Sequence, residues 1–192
     1  MVRAKARRQT EHPDSIDHAR EAALQILART PQPSSEIVAR LEAQGFTEGC
    51  IGEVISRLAA VGLIDDDEYA AMFVRDRRDR TGRSRRAVAL ELGRRGLAHE
   101  VIDRAMEQYP PEQELEVALR FATKRLSGKS GMTARDDSPS DDEWSQRSGV
   151  NRRSRSDREL QRIYAALARR GFSDAVSRSA VKMALDDHDL TA

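Results

Sequence analysis

The chain has 192 residues, of which 34% are charged, 39% hydrophobic and only 4% aromatic, and its net charge is +1. That composition excludes a thick core of large side chains and suits thin helical layers, with Leu, Ile, Val and Ala as the apolar stripe and Arg and Glu outside. No apolar run approaches the ~20 residues that span a bilayer, and the single cysteine, Cys50, excludes an internal disulfide and a thiolate zinc site.

The first stretch is basic. Met1 to Arg8 carries four cationic residues and no acid, and no apolar segment of the secretory type follows it. Residues 1–15 are expected to form a disordered basic tail, and the chain is expected to be cytoplasmic. Apolar periodicity then predicts helices over 17–29, 34–44 and 47–61, with Ile51, Val54, Ile55 and Leu58 on one face of the third. Cys50 falls at an apolar position of that helix and is expected to be a buried, inert thiol. Further helices are predicted over 66–80, 84–95 and 98–108, and over 111–126, 156–170 and 173–187. Asp65–Glu68 and Ser156–Glu159 have capping-box spacing, and Ser34, Thr47, Ser84 and Ser173 are expected N-caps. The acids Asp65, Asp66, Asp67 and Glu68 read as a helix start opposing its dipole rather than as a cation site.

Self-similarity organises these elements. Ile37, Leu41, Gly45 and Phe46 share one spacing with Val88, Leu92, Gly96 and Leu97, and with Ile163, Leu167, Gly171 and Phe172. The spacing has a physical cause: a left-handed glycine ends the helix, and the large apolar residue after it folds back onto the leucine. Gly62 gives a fourth stop, with Leu63 over Leu58. The first two repeated glycines stand 51 residues apart and the next two 75, which leaves 24 extra residues in the third copy. The stretch 130–153 has about that length, is rich in Ser, Asp, Arg and Gly, and lacks apolar periodicity.

The expected fold is therefore all-α, an elongated and curved array of three tandem three-helix repeats. Repeat 1 covers 16–64, repeat 2 covers 65–109, and repeat 3 covers 110–127 with 155–188. A disordered insertion at 128–154 interrupts the third. A single unit of under 50 residues is marginal alone, so stacking on a neighbour is expected.

Candidate chemistry is sparse. His12, His18, His99 and His188 are scattered, without the spacing of a metal site. Neither a glycine-rich phosphate loop nor a nucleophile motif is present, so no enzyme and no cofactor are expected. The arginines stand out. Between residues 75 and 95 there are nine Arg (Arg75, Arg77, Arg78, Arg80, Arg83, Arg85, Arg86, Arg94 and Arg95) against three acids. Such an excess repels itself, and a polyanionic or acidic partner explains it better than solvation does. Guanidinium forks suit phosphates and carboxylates, and without interleaved aromatics base stacking is not indicated. The candidate partner-binding residues are Arg75, Arg78, Arg83, Arg85, Arg86, Arg94 and Arg95. Trp144, beside the acids Asp141, Asp142 and Glu143, has three readings: a docking motif, a tether folding back on the arginines, or an uninvolved linker.

The run from Arg57 to Arg75, with Gly62-Leu63-Ile64-Asp65-Asp66, then Tyr69-Ala70, Phe73-Val74 and Arg75, resembles the signature of the RecX family. The triplicated helix–glycine units extend that resemblance over about residues 18–127 and 155–186. It implies a regulator of the RecA recombinase that binds the RecA filament on single-stranded DNA, lies in its groove, lowers its ATPase and strand exchange, and acts in DNA repair and the SOS response. Arg75 matches the family's basic position after Phe-Val, whereas the other arginines match only as a basic region. The partner implied is the RecA filament, with single- or double-stranded DNA a further candidate for the basic patch. The chain is expected to be a monomer without membrane association. The insertion after Gly128 departs from the family's compact third repeat. A rival reading is a winged-helix transcription regulator over 34–64, but a wing needs two strands after Ile64, and an acidic helix start follows instead. A plain helical scaffold is a third reading.

Overall fold

A computed structural model describes residues 10–127 and 152–190. Trp144 and all but the last residues of the expected insertion lie outside them. The described residues contain nine α-helices in groups of three and no strand. The first group is α1 (Ile16–Leu27), α2 (Ser34–Glu42) and α3 (Glu48–Ala60). The second is α4 (Asp66–Asp76), α5 (Arg85–Arg94) and α6 (His99–Met106). The third is α7 (Pro111–Leu126), α8 (Arg152–Arg169) and α9 (Asp174–Leu190). The all-α reading of tandem three-helix repeats matches this architecture. Where a winged helix would place its strands, α4 begins at Asp66.

Four glycines carry the helix stops. Gly45, Gly62, Gly96 and Gly171 have φ of 90°, 71°, 78° and 88°. At each stop the residue after glycine donates its N–H to the C3 carbonyl: Phe46 to Leu41 (3.2 Å), Leu63 to Leu58 (2.9 Å), Leu97 to Leu92 (3.4 Å) and Phe172 to Leu167 (3.2 Å). Each glycine N–H bonds the C2 carbonyl as well, completing a Schellman motif and satisfying two helix-end acceptors. Phe46, Leu97 and Phe172 are buried, as the fold-back requires. Leu63 differs: it is 52% exposed, so the expected packing over Leu58 is replaced by a surface position. It lines a cleft of about 300 Å³ with Leu27, Pro31, Tyr69 and Met72.

The helix starts depart from the sequence reading at several points. The N-cap of α1 is Ser15, which accepts from the His18 N–H. Ser34 is not a cap but the first residue of α2, with Pro33 before it; its N–H and hydroxyl both donate to Asp66, tying α2 to the start of α4. Thr47 holds the cap position of α3, yet its hydroxyl bonds Asp14 (2.8 Å) instead of the helix. Asp65 caps α4 through the Glu68 N–H (2.8 Å), Ser84 caps α5 through the Ala87 N–H (3.1 Å), and Ser173 caps α9 through the Val176 N–H (3.3 Å). Helix α8 begins at Arg152, so Ser156 lies inside it. The expected tail boundary at residue 15 falls within a tethered stretch, because Thr10 donates to the Gln44 carbonyl and Pro13 accepts from Thr47.

The chain divides into two compact units, one formed by Met1–Asp76 and Ala89–Gln108, the other by Arg77–Val88 and Tyr109–Ala192. In the first, Ala19, Ala23, Ile37, Leu41, Ile51, Val54 and Leu58 form the interior of the first helical group. Cys50 is buried with them, and burial, aided by the charge of Asp14, pushes its thiol pKa up. Helices α4 and α6 pack together through Tyr69, Ala70, Ala105 and Met106. In the second unit, α9 packs along α7 and against α8, with Val117, Ala118, Ala122, Ala180, Val181 and Ala184 buried. Small residues allow close helix approach there, consistent with so few aromatics. Tyr109 is fully buried, and its hydroxyl donates to the Arg83 carbonyl at 2.9 Å, so the phenol has its partner.

Candidate partner-binding arginines

Helix α4 does not run to residue 80 as a regular α-helix. After Asp76 it widens into a π-helical turn, Arg77–Thr81. The Thr81 hydroxyl donates to the Arg77 carbonyl (2.9 Å), Gly82 turns at φ 61°, and the Arg83 N–H returns to the same carbonyl (2.9 Å). This turn presents the middle of the arginine block, and π-helical turns are common at functional sites.

The block is divided between the two units. Arg75, Arg94 and Arg95 belong to the first. Arg75 and Arg94 are exposed, whereas Arg95 is half-buried with its guanidinium 5.1 Å from the centre of the Phe73 ring. Arg78, Arg83, Arg85 and Arg86 belong to the second. Of these, Arg86 is exposed and the other three are half-buried. The Arg78 fork is engaged by both oxygens of Asp79 (2.8 and 3.0 Å) and by Gln113 (3.0 Å). That hydrogen-bonded pair raises the Arg78 pKa and holds the Asp79 carboxyl below the usual carboxylate range. Arg83 donates to the Arg169 carbonyl at the end of α8 (3.0 Å), where a cation also opposes the helix dipole. The backbone N–H of Arg85 donates to Glu114 (2.9 Å). Of the seven expected residues, Arg75, Arg86 and Arg94 are exposed, whereas Arg78 is held by Asp79 and Gln113.

Three cations that sequence reasoning did not single out join Arg83 in the second unit. Arg170 stacks over Phe121, 4.0 Å from the ring centre, and Arg125 lies 5.4 Å from the same ring. Arg169 is exposed at the end of α8. Burial, then the charges of Arg125, Arg83 and Arg169, push the Arg170 pKa down, although a guanidinium still stays protonated. The signal available in sequence was the repeated Arg-Arg-Gly, at 94–96 and 169–171. Among the described residues there is no cluster of metal-ligating side chains, and no helix is long and apolar enough to cross a membrane.

Residues 19–58 match the family model for RecX, first three-helix domain, and residues 65–106 match RecX, second three-helix domain. The regulatory protein RecX of Corynebacterium efficiens is 34% identical over 88% of this chain and 72% of its own length. That of Streptomyces coelicolor is 29% identical over 91% of this chain and 81% of its own. The crystal structure of RecX from Lactobacillus salivarius superposes with a TM-score of 0.63 at 20% identity, over 91% of this chain and 97% of that one, and so shares the fold.

Proposed function

The chain belongs to the RecX family, and on that premise we propose that it regulates a RecA-type recombinase by binding the filament which that enzyme forms on single-stranded DNA. It works in the cytoplasm as a monomer, lies in the filament groove, and lowers ATP turnover and strand exchange. It acts by binding and needs no cofactor. The observation that carries the reading is the match to regulatory RecX proteins over most of both chains. The exposed arginines support it physically. Arg75 and Arg94 in the first unit and Arg86 in the second offer forks to acidic protein surface or to phosphate, and Arg83, Arg85 and Arg95 add partly exposed cations. Arg78 contributes by holding the π-helical turn, through Asp79 and Gln113.

Co-sedimentation tests the binding. Filaments assembled on single-stranded DNA with a non-hydrolysable nucleotide should pellet the chain with them. Filament-free recombinase should pellet little. Recovery of the chain only in the supernatant would reject the proposal.

A further inference from the structure

We propose that Arg125 and Arg170, both against the Phe121 ring, together with Arg169 and with Arg83, which bonds the Arg169 carbonyl, form a binding subsite for the phosphodiester backbone of a nucleic acid. It lies wholly in the second unit and is distinct from the arginine block at 75–95, of which it shares only Arg83.

The first observation is uncompensated charge. Among the described residues no carboxylate pairs with Arg125, Arg169 or Arg170, in contrast to Arg40, Arg57, Arg78, Arg104 and Arg178, which all have acidic partners. Like charges held together in this way repel, and an anion between them removes that cost. The second is positioning. Phe121 carries two guanidinium groups on one ring, and cation–π contact fixes their planes. Arg83 is fixed in turn by the Arg169 carbonyl. The third is an unmet donor: Arg170 Nε is buried without a hydrogen-bond partner, while the Nη1 of the same fork makes only a long 3.4 Å bond to the Ala166 carbonyl. A buried donor left unpaired is costly, and a small rotation of the fork toward an anion relieves it.

The arrangement favours phosphate over a protein carboxylate. A single fork satisfies the two coplanar oxygens of a carboxylate. Cations from two helices and a turn converge better on phosphate oxygens, and repeated phosphates can engage the exposed Arg125 and Arg169 together. The first unit repeats the device in part, with Arg95 over Phe73 immediately before Gly96. The site requires no recombinase, so its test is independent of the filament reading.

The experiment measures fluorescence anisotropy of a labelled 20-nucleotide oligothymidylate with the full chain alone, across a salt series. Arg125→Ala/Arg169→Ala should weaken binding at least tenfold. It should also flatten the slope of log K against log salt by about 1.4, at ~0.7 per single-strand phosphate contact. Arg20→Ala/Arg29→Ala removes the same charge from exposed positions of the first unit and should change affinity less than threefold. Circular dichroism of both variants checks folding, and Arg125→Lys/Arg169→Lys should restore part of the affinity. Equal losses in the two alanine pairs would reduce the effect to bulk charge and overturn the subsite. So would unchanged affinity, absence of binding by the wild-type chain at low salt, or competition by polyglutamate as effective as that by the oligonucleotide.

Discussion

At Gly171 an added β-carbon would stand 2.6 Å from the Ser84 Oγ and 2.8 Å from the Ala87 Cβ, and the φ of +88° is one that L side chains rarely adopt. Gly62 has a similar φ of +71° but open space around it. The two positions separate backbone strain from collision. Gly62→Ala should cost about 1–2 kcal/mol, the penalty of the left-handed conformation alone. Gly171→Ala adds overpacking of about 1–3 kcal/mol to that, and urea denaturation should show the difference in midpoint. The glycine stops were legible in sequence because a Schellman motif is local chemistry, written within ten residues. The collision with Ser84 was not, because its partner comes from another repeat. Cys50 offers a second check at this scale. Buried, and with its thiol pKa raised first by burial and then by Asp14, it should react with a thiol reagent at least tenfold more slowly in the native chain than in denaturant. A native rate equal to the denatured one would contradict its placement.

Helices were legible as elements because their apolar stripes repeat at helical period, but their ends were less so. Ser34 has the right residue type for a cap and was expected to be one; instead it sits at the first position of α2 and spends both donors on Asp66. Nothing local to Ser34 signals that choice, because the acceptor comes from α4. Likewise Asp66 read as one of four dipole-opposing acids, whereas it also joins two helices. Asp66→Ala should therefore destabilise the chain by about 1–3 kcal/mol, since it strands a partly buried N–H and hydroxyl. Asp67→Ala should cost about 1 kcal/mol or less, because Arg104 pairs with Asp67 at the surface. Equal midpoints in a thermal or urea melt would refute the assigned difference. The π-helical turn after α4 was hidden for a related reason: the sequence there is good helix, and only the closure through Thr81, Gly82 and Arg83 widens it.

For the whole molecule, charge was harder to read than hydrophobicity. Buried apolar positions follow a period, so the three helical groups could be counted from the chain. An arginine's role depends on what meets it across the fold. Arg78 is committed to Asp79 and Gln113, Arg95 to Phe73 and Arg83 to a helix end, while Arg125 from α7 and Arg170 from the end of α8 meet on Phe121. We propose that the exposed members act on the recombinase filament and that 110–127 with 155–188 functions as the third repeat. Regulation of that filament can be measured by titrating the chain into a RecA–single-stranded-DNA ATPase assay. ATP turnover should fall at fewer chains than recombinase subunits, and Arg83→Ala/Arg85→Ala/Arg86→Ala, with helical content retained, should need a higher ratio for the same inhibition. Unchanged turnover at every ratio, with the wild-type chain folded, would contradict it.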